Sequence, residues 1–180
     1  MVLHGNYVFS NLFEQNICQN IVIDNSHGPN GPFNTFFRNR AENYGLFFSA
    51  SNSPDQNLIG NEITNTNFPQ NLFNFYIQGT GHFLYANNDK GTILPTGTNN
   101  LTDLSYHYSQ PPAFLNSGQY AGIGYPNMMD QNSIASRDRY LNHQIFSFDC
   151  EDLFTPIRKK ETSEIEIYPM PARSGEEVFI

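Results

Sequence analysis

The alternation of apolar and polar positions divides residues 5–86 into three similar lines of short strand patterns. Each line contains a second short strand pattern whose first and third residues are apolar. This alternation predicts a strand with one buried face. These patterns begin at Ile21, Leu46 and Phe75. A weak repeat near 27 residues predicts a solenoid, in which each line is one turn.

An asparagine near the start of each line suggests how the turns align. The spacings are 28 and 27 residues, and the asparagines are Asn6, Asn34 and Asn61. Stacked asparagines can hydrogen-bond along a column, so we predict a structural ladder of these three side chains. The alternative is that they only mark turns. The same alignment predicts two apolar columns, one of Val8, Phe36 and Ile63 and one of Ile21, Leu46 and Phe75.

The fold predicted from these columns is all-β, a right-handed parallel β-helix of about three coils. Leucine-rich repeats need regularly spaced leucines, which these lines lack. A parallel β-helix tolerates varied inward residues and loops of unequal length, such as those at residues 26–32 and 49–56. An antiparallel β-sandwich is the competing architecture.

The remainder of the chain predicts a cap, a linker and a tail. The coils occupy residues 1–86, and residues 87–150 form an irregular β cap of the solenoid, with strands at 92–94, 104–109 and 144–148 and an edge pairing near 120–123. Solenoids need caps because a bare last turn presents unpaired strand edges. Residues 151–164 are charged and predict a linker, and residues 165–180 predict two strands of a truncated tail. The composition at both ends favours a fragment of a longer protein.

Charge and cysteine content narrow the function classes. The net charge of −8 argues against a nucleic-acid partner, which needs a basic surface. Cys18 and Cys150 lie far apart, and whether they pair is left open, although Cys18 is interpreted as a small buried residue. We find no metal-ligand spacing, no signal peptide, and no apolar segment long enough for a transmembrane helix.

The acidic and basic residues do not assemble into a predicted active site. Glu14 and Glu42 hold the same place in their lines and are expected one above the other, as a solvated edge. Arg38 and Arg40 are expected to be surface charges. We therefore predict no catalytic, cofactor-binding or metal-binding residue. Stacking on sugar rings remains open for five tyrosines: Tyr7, Tyr44, Tyr76, Tyr85 and Tyr106.

The tail IYPMPARSGEEVFI, from Ile167 to Ile180, resembles the start of the C-terminal sorting domain of proteins that the type IX (Por) secretion system of Bacteroidota exports. The matching positions are Tyr168, Pro169, Pro171, Ala172 and Gly175. Met170 stands where that family usually has Asn, and the later strands of the domain are not in this sequence. The resemblance implies a parent protein that is secreted or held at the outer-membrane surface and engages the type IX machinery.

Together these patterns predict a non-catalytic segment of a secreted or cell-surface β-helix protein. Its role would be adhesive or structural, with a carbohydrate or cell-surface partner and no cofactor. The alternative is the C-terminal part of a polysaccharide lyase or glycoside hydrolase whose active site lies in coils upstream of Met1.

Overall fold

The computed structural model describes residues 1–66, 75–112, 122–124 and 141–143. In these residues it contains eleven short strands. They are β1 (Val2–Leu3), β2 (Leu12–Glu14), β3 (Ile17–Ile23), β4 (Thr35–Phe37), β5 (Arg40–Phe48), β6 (Asn57–Ile59), β7 (Glu62–Ile63), β8 (Phe75–Tyr76), β9 (Phe83–Tyr85), β10 (Asn87–Asp89) and β11 (Thr92–Leu94).

The strands form two sheets wound into a β-solenoid of about three turns. One sheet has the order β1-β3-β5-β7-β10-β11, with β8 beside β5, and the other has the order β2-β4-β6-β9. Every pairing is parallel except β10 with β11. The predicted parallel solenoid is therefore confirmed, and the antiparallel sandwich is excluded. Parallel pairing continues to Asn87–Asp89, and the antiparallel strand β11 then covers that edge.

One of the two predicted apolar columns is confirmed and the other is wrong. Ile21 lies opposite Leu46, and Leu46 lies opposite Phe75. Phe36, however, pairs with Phe13 and Leu58. The predicted partners of Phe36 lie elsewhere: Val8 is outside the strands, and Ile63 pairs with Ala41 and Asp89.

The interior is a continuous stack of apolar side chains along the winding axis. Phe36, Leu46 and Leu58 are inaccessible to solvent. The rings of Phe13 and Phe36 stack with centroids 5.0 Å apart. Met1, Val8 and Phe13 complete the stack at the first turn but remain partly exposed. Phe75, Ile77 and Leu84 at the other end are partly exposed as well, so the apolar core is sealed in the middle turns and less covered toward both ends.

A six-residue unit repeats once per turn and sets the register. Its first and last residues, called ladder positions one and six, form two columns of hydrogen-bonded side chains. It spans Asn11–Asn16, Asn34–Asn39, Gln56–Asn61 and His82–Asn87. The residue before its last asparagine adopts a left-handed backbone in all four copies: Gln15 (φ 54°), Arg38 (49°), Gly60 (63°) and Ala86 (51°). This conformation turns the chain sharply between the two sheets, so that the following asparagine is directed inward.

Two ladders of hydrogen-bonded side chains run along these corners. In the second, the side-chain amides of Asn16, Asn39 and Asn61 donate to the next asparagine at 2.8, 3.0 and 3.1 Å, ending at Asn87. The sequence separations are 23, 22 and 26 residues. In the first, Asn11 donates to Asn34, and Asn34 donates to Gln56. Because each amide also donates to a backbone carbonyl, these buried polar groups are satisfied.

The structure does not bring the three predicted ladder asparagines together. Asn34 belongs to the first ladder and Asn61 to the second. Asn6 is exposed in a left-handed turn. Asn34 and Asn61 are thus ladder residues, but of two different ladders, because they hold the first and the last position of the six-residue unit.

Residues 98–108, here called the side strap, run along the outside of the stack. Its hydrogen-bond partners descend from the last turn to the first: Thr98 with Ala86, Asn100 with Tyr85, Asp103 with Arg38, and Leu104 with Gln15. Leu101 is buried in an outer apolar cluster with Phe37 and Ile59. The strap therefore ties all the turns together from one side. The strand predicted at residues 104–109 is absent.

Other sequence predictions fall outside the described residues. They include Cys150, the strand at 144–148, the linker, and the tail residues Tyr168, Pro169, Pro171, Ala172 and Gly175. Cys18 is a free, partly buried thiol, and burial raises its pKa. In the described part of the chain, no helix has the length and apolar character needed to span a bilayer.

Candidate functional site

A cleft of about 450 Å³ lies at the first turn, where strand β2 meets the end of the side strap. Its lining combines apolar, acidic, amide and aromatic side chains: Leu12, Phe13, Glu14, Asn16, His107 and Tyr108. β2 is the edge strand of its sheet, so the cleft follows a strand edge that no other described strand covers. The cleft therefore offers both side chains and backbone groups to a ligand.

Glu14 holds the part of the side strap that forms one wall of this cleft. Its carboxylate accepts hydrogen bonds from the Ser105 hydroxyl and from the Tyr106 backbone N–H, the latter at 2.7 Å. The Ser105 hydroxyl oxygen in turn accepts the backbone N–H groups of His107 and Tyr108 at 3.1 and 2.9 Å. Through these two hydrogen bonds Glu14 positions the strap against β2.

The predicted stacking of Glu14 on Glu42 is wrong. Glu14 lies opposite Phe37 in the register, and Glu42 lies on β5 beside Arg40. The two carboxylates belong to different sheets. They cannot act as a catalytic pair across one bond.

The prediction that Arg38 and Arg40 are surface charges is also wrong. Arg38 is 3% exposed, its Nε donates to Asp103 O at 2.7 Å, and burial lowers its pKa. Arg40 is 4% exposed and forms an ion pair with Glu62, which also accepts the Gly124 backbone N–H. Both guanidinium groups are covered because later segments of the chain fold over them, and a surface strand alone would have left them in solvent.

Tyr106 joins the strap to the outer face of β4. Its ring stacks on Phe37 at a centroid distance of 4.0 Å. Partial burial, followed by the nearby Asp103 carboxylate, raises the pKa of its hydroxyl. Tyr106 therefore stays neutral and presents an uncharged aromatic edge.

A second polar cluster lies in the loops of the first turn. His4 Nδ1 is 2.7 Å from Asp24 Oδ2, and the rings of His4 and His27 meet edge to face at 4.5 Å. The Ser26 hydroxyl donates to Asp24 at 2.6 Å. No trio of metal-ligating side chains comes together in the part of the chain that the structure describes. Sequence inspection missed this pair because the two residues are twenty positions apart and carry no spacing signal.

Asp24 should make the stability of the folded chain slightly dependent on pH in the acidic range. The Ser26 hydrogen bond, then the Ser49 hydrogen bond and His4, lower the pKa of Asp24 in the folded chain. A lowered folded-state pKa stabilises above the unfolded-state pKa, and this contribution disappears as pH falls through the folded-state value. We expect wild type to lose roughly 0.5 kcal/mol more than Asp24→Asn between about pH 5 and about pH 3, since the site is solvated. Urea titrations at both pH values measure this, and equal slopes for the two proteins would contradict it.

Several aromatic side chains project into solvent. Those more than half exposed are Tyr7, Phe9, Phe33, Tyr76 and Phe83. Among the five tyrosines singled out from the sequence, Tyr7, Tyr76 and Tyr106 are exposed, whereas Tyr44 and Tyr85 are partly buried.

Three of these side chains form a surface that we call the aromatic patch: Tyr7, Phe9 and Phe33. The Tyr7 and Phe9 rings lie 6.1 Å apart. Phe33 lies one turn above Ser10, whose N–H donates to Pro32 O. Exposed apolar clusters of this kind mark interaction sites.

Comparison of the chain with protein-family models, with curated proteins and with solved structures gave no match.

Proposed function

We propose that this chain is a non-catalytic segment of a secreted or cell-surface β-solenoid protein, with an adhesive or structural role. The observation that carries the proposal is the aromatic patch, held on a backbone that is hydrogen-bonded turn to turn. A rigid scaffold lowers the ordering cost when exposed rings contact a partner. Planar aromatic faces suit the apolar faces of sugar rings, so a carbohydrate is the expected ligand.

The polar chemistry of the described turns supports a scaffold role. Asn34, Asn39 and Asn61 are consumed by the ladders. Glu14 anchors the strap, and Glu62 neutralises buried Arg40. Each of these groups holds the stack together, which supports a scaffold role for the described turns.

Surface display of the parent protein is proposed on sequence grounds. The residues that support it are Tyr168, Pro169, Pro171, Ala172 and Gly175, which resemble a type IX sorting-domain opening. The acidic net charge of −8 is compatible with an exported protein.

Alanine substitution of the aromatic patch tests the adhesive role. We expect Tyr7→Ala/Phe9→Ala/Phe33→Ala to weaken binding to a panel of immobilised polysaccharides by roughly tenfold or more, as for truncation of aromatic anchors. Phe83→Ala removes an equally exposed ring at the last turn and should bind like wild type. The measurement is retention of the full chain on each polysaccharide, with circular dichroism to confirm folding.

Two results would contradict the proposal. One is equal retention of the patch variant and wild type on every polysaccharide that binds. The other is turnover of acidic oligosaccharides by the chain in the presence of Ca²⁺, which would favour the polysaccharide-degrading alternative.

A further inference from the structure

Another column of hydrogen-bonded groups, here called the loop column, lies in the loops that precede β2, β4 and β6. It consists of Gly5, Asn30 and Ser53. Gly5 N donates to Asn30 Oδ1 at 2.8 Å, and the backbone N–H and side-chain amide of Asn30 donate to Ser53 Oγ at 3.2 and 3.1 Å. In both ladders, likewise, a backbone N–H donates to the side chain one turn above. Asn30 is the central member of the column and is only 1% exposed.

Asn30 also belongs to the one Asn–Gly pair in the 180-residue sequence. Such a pair can deamidate without an enzyme, because glycine has no side chain to hinder attack by its own backbone nitrogen. In this reaction a bond forms between Gly31 N and Asn30 Cγ, the bond from Cγ to Nδ2 breaks, and the Gly31 amide proton leaves with Nδ2 as ammonia. Water then opens the succinimide ring at either carbonyl and leaves aspartate or isoaspartate.

The folded chain holds the side-chain half of this pair. Nδ2 of Asn30, the leaving group, donates to Asp24 O at 2.8 Å and to Ser53 Oγ. Oδ1, which shares Cγ with it, accepts the Gly5 N–H. Ring closure would have to release these bonds inside a loop that excludes water from Asn30, so it requires local opening.

The first ladder holds the backbone half. The Gly31 carbonyl accepts the side-chain amides of Asn34 and Gln56 at 3.0 and 2.9 Å. Pro32 follows Gly31 and further restricts its backbone. The peptide unit that would have to rotate is therefore fixed by two side chains of a buried ladder.

Packing requires a glycine next to Asn30. A Cβ at Gly31 would lie 2.8 Å from Phe9 Cβ and 3.1 Å from Tyr7 O, closer than packed atoms allow. The contacts of the first two turns thus place a chemically labile pair in the chain, and the hydrogen bonds around that pair protect it.

We propose that Asn30 is a modification site whose reaction is gated by the fold. Deamidation proceeds in chains whose loop column has opened, and its product keeps the column from closing again. Aspartate has no amide to donate to Asp24 O and Ser53 Oγ, and it brings a charge to a buried position. Isoaspartate in addition lengthens the backbone between fixed neighbours. The site therefore records an opening of the solenoid in covalent form, and it does not depend on the aromatic patch.

Peptide mapping of the full chain by mass spectrometry tests the gate against an exposed pair, Asn52–Ser53. In chains unfolded by urea, we expect Asn30 to deamidate faster than Asn52, because serine hinders the attack more than glycine does. In the native chain this order should reverse. Relative to Asn52 in the same sample, Asn30 should react at least about a hundredfold more slowly than in urea, the factor that an opening free energy of about 2.8 kcal/mol supplies.

A pair of serine variants locates the gate. Ser53→Ala removes the hydroxyl oxygen that accepts both N–H groups of Asn30. In the folded variant, Asn30 should deamidate at least about tenfold faster than in wild type, since buried donors lose their acceptor. Ser51→Ala changes an exposed serine two positions away and should leave the rate within about threefold.

A pair of aspartate variants tests the effect of the product. Asn30→Asp should raise the equilibrium constant for unfolding at least about tenfold, because two hydrogen bonds are lost and a charge is buried. Asn52→Asp makes the same chemical change at an exposed site and should stay within about threefold of wild type. Urea denaturation followed by circular dichroism measures both constants.

Any of four results would overturn the proposal. They are equal relative rates of Asn30 deamidation in native and unfolded chains, faster reaction of Asn30 than of Asn52 in the native chain, equal Asn30 rates in folded Ser53→Ala and Ser51→Ala, and equal stability of Asn30→Asp and Asn52→Asp. The first two comparisons use the wild-type chain, so the proposal stays falsifiable even if Ser53→Ala does not fold.

Discussion

Replacing Asn39 with alanine should lower the free energy of unfolding by about 4 kcal/mol, because several buried polar groups lose their partners together. Asn39 is inaccessible to solvent. Its amide donates to Phe13 O and Asn61 Oδ1, and its Oδ1 accepts the backbone and side-chain N–H groups of Asn16. Urea denaturation followed by circular dichroism measures the change.

A surface asparagine provides the control for this substitution. Asn52 is exposed in a loop, and Asn52→Ala should change stability by less than about 0.5 kcal/mol. If Asn39→Ala were as stable as Asn52→Ala, the ladder would not contribute to holding the turns in register.

Phe36→Ala should also lower the free energy of unfolding by about 4 kcal/mol, the usual range for a buried phenylalanine. Phe36 is fully buried, stacks on Phe13, and lies between Phe13 and Leu58 in the register. A cavity there would remove the contact between Phe13 and the interior of the second turn.

Phe33→Ala serves as its comparison, because Phe33 is 60% exposed and only three residues away. It should cost less than about 0.5 kcal/mol. Similar losses for the two variants in urea denaturation would contradict the assignment of Phe36 to the interior. Comparing the two variants also distinguishes an effect on stability from an effect on the aromatic patch, since only Phe33 belongs to the patch.

The parallel solenoid could be predicted from the sequence because the alternation around Ile21, Leu46 and Phe75 survives in three turns. The alignment of the other predicted column, that of Val8, Phe36 and Ile63, could not be predicted correctly. It is set by left-handed corner residues whose side chains share no chemistry, among them Gln15, Arg38 and Ala86. A signal was nevertheless present: an asparagine, glutamine or histidine lies five positions before the corner asparagine in all four copies of the six-residue unit. Searching for paired polar positions at that spacing would have found the correct register.

The cleft was beyond sequence reasoning for a different reason. Glu14 meets Ser105 across 91 positions, and Gln15 meets Leu104 across 89. Contacts of such separation depend on the path of the side strap, which follows from packing over Phe37 and Ile59. The burial of Arg38 has the same origin, since Asp103 of the strap covers it.

The unequal lengths of the turns have a consequence for variation of this protein. The last step of the second ladder spans 26 residues where the earlier steps span 23 and 22, yet the asparagine spacing in space is unchanged. Extra residues within a turn thus leave the hydrogen-bonded rise between turns unchanged. We accordingly expect insertions between successive corner asparagines to be tolerated, because Asn61 and Asn87 stay hydrogen-bonded across a longer intervening segment than Asn16 and Asn39 do.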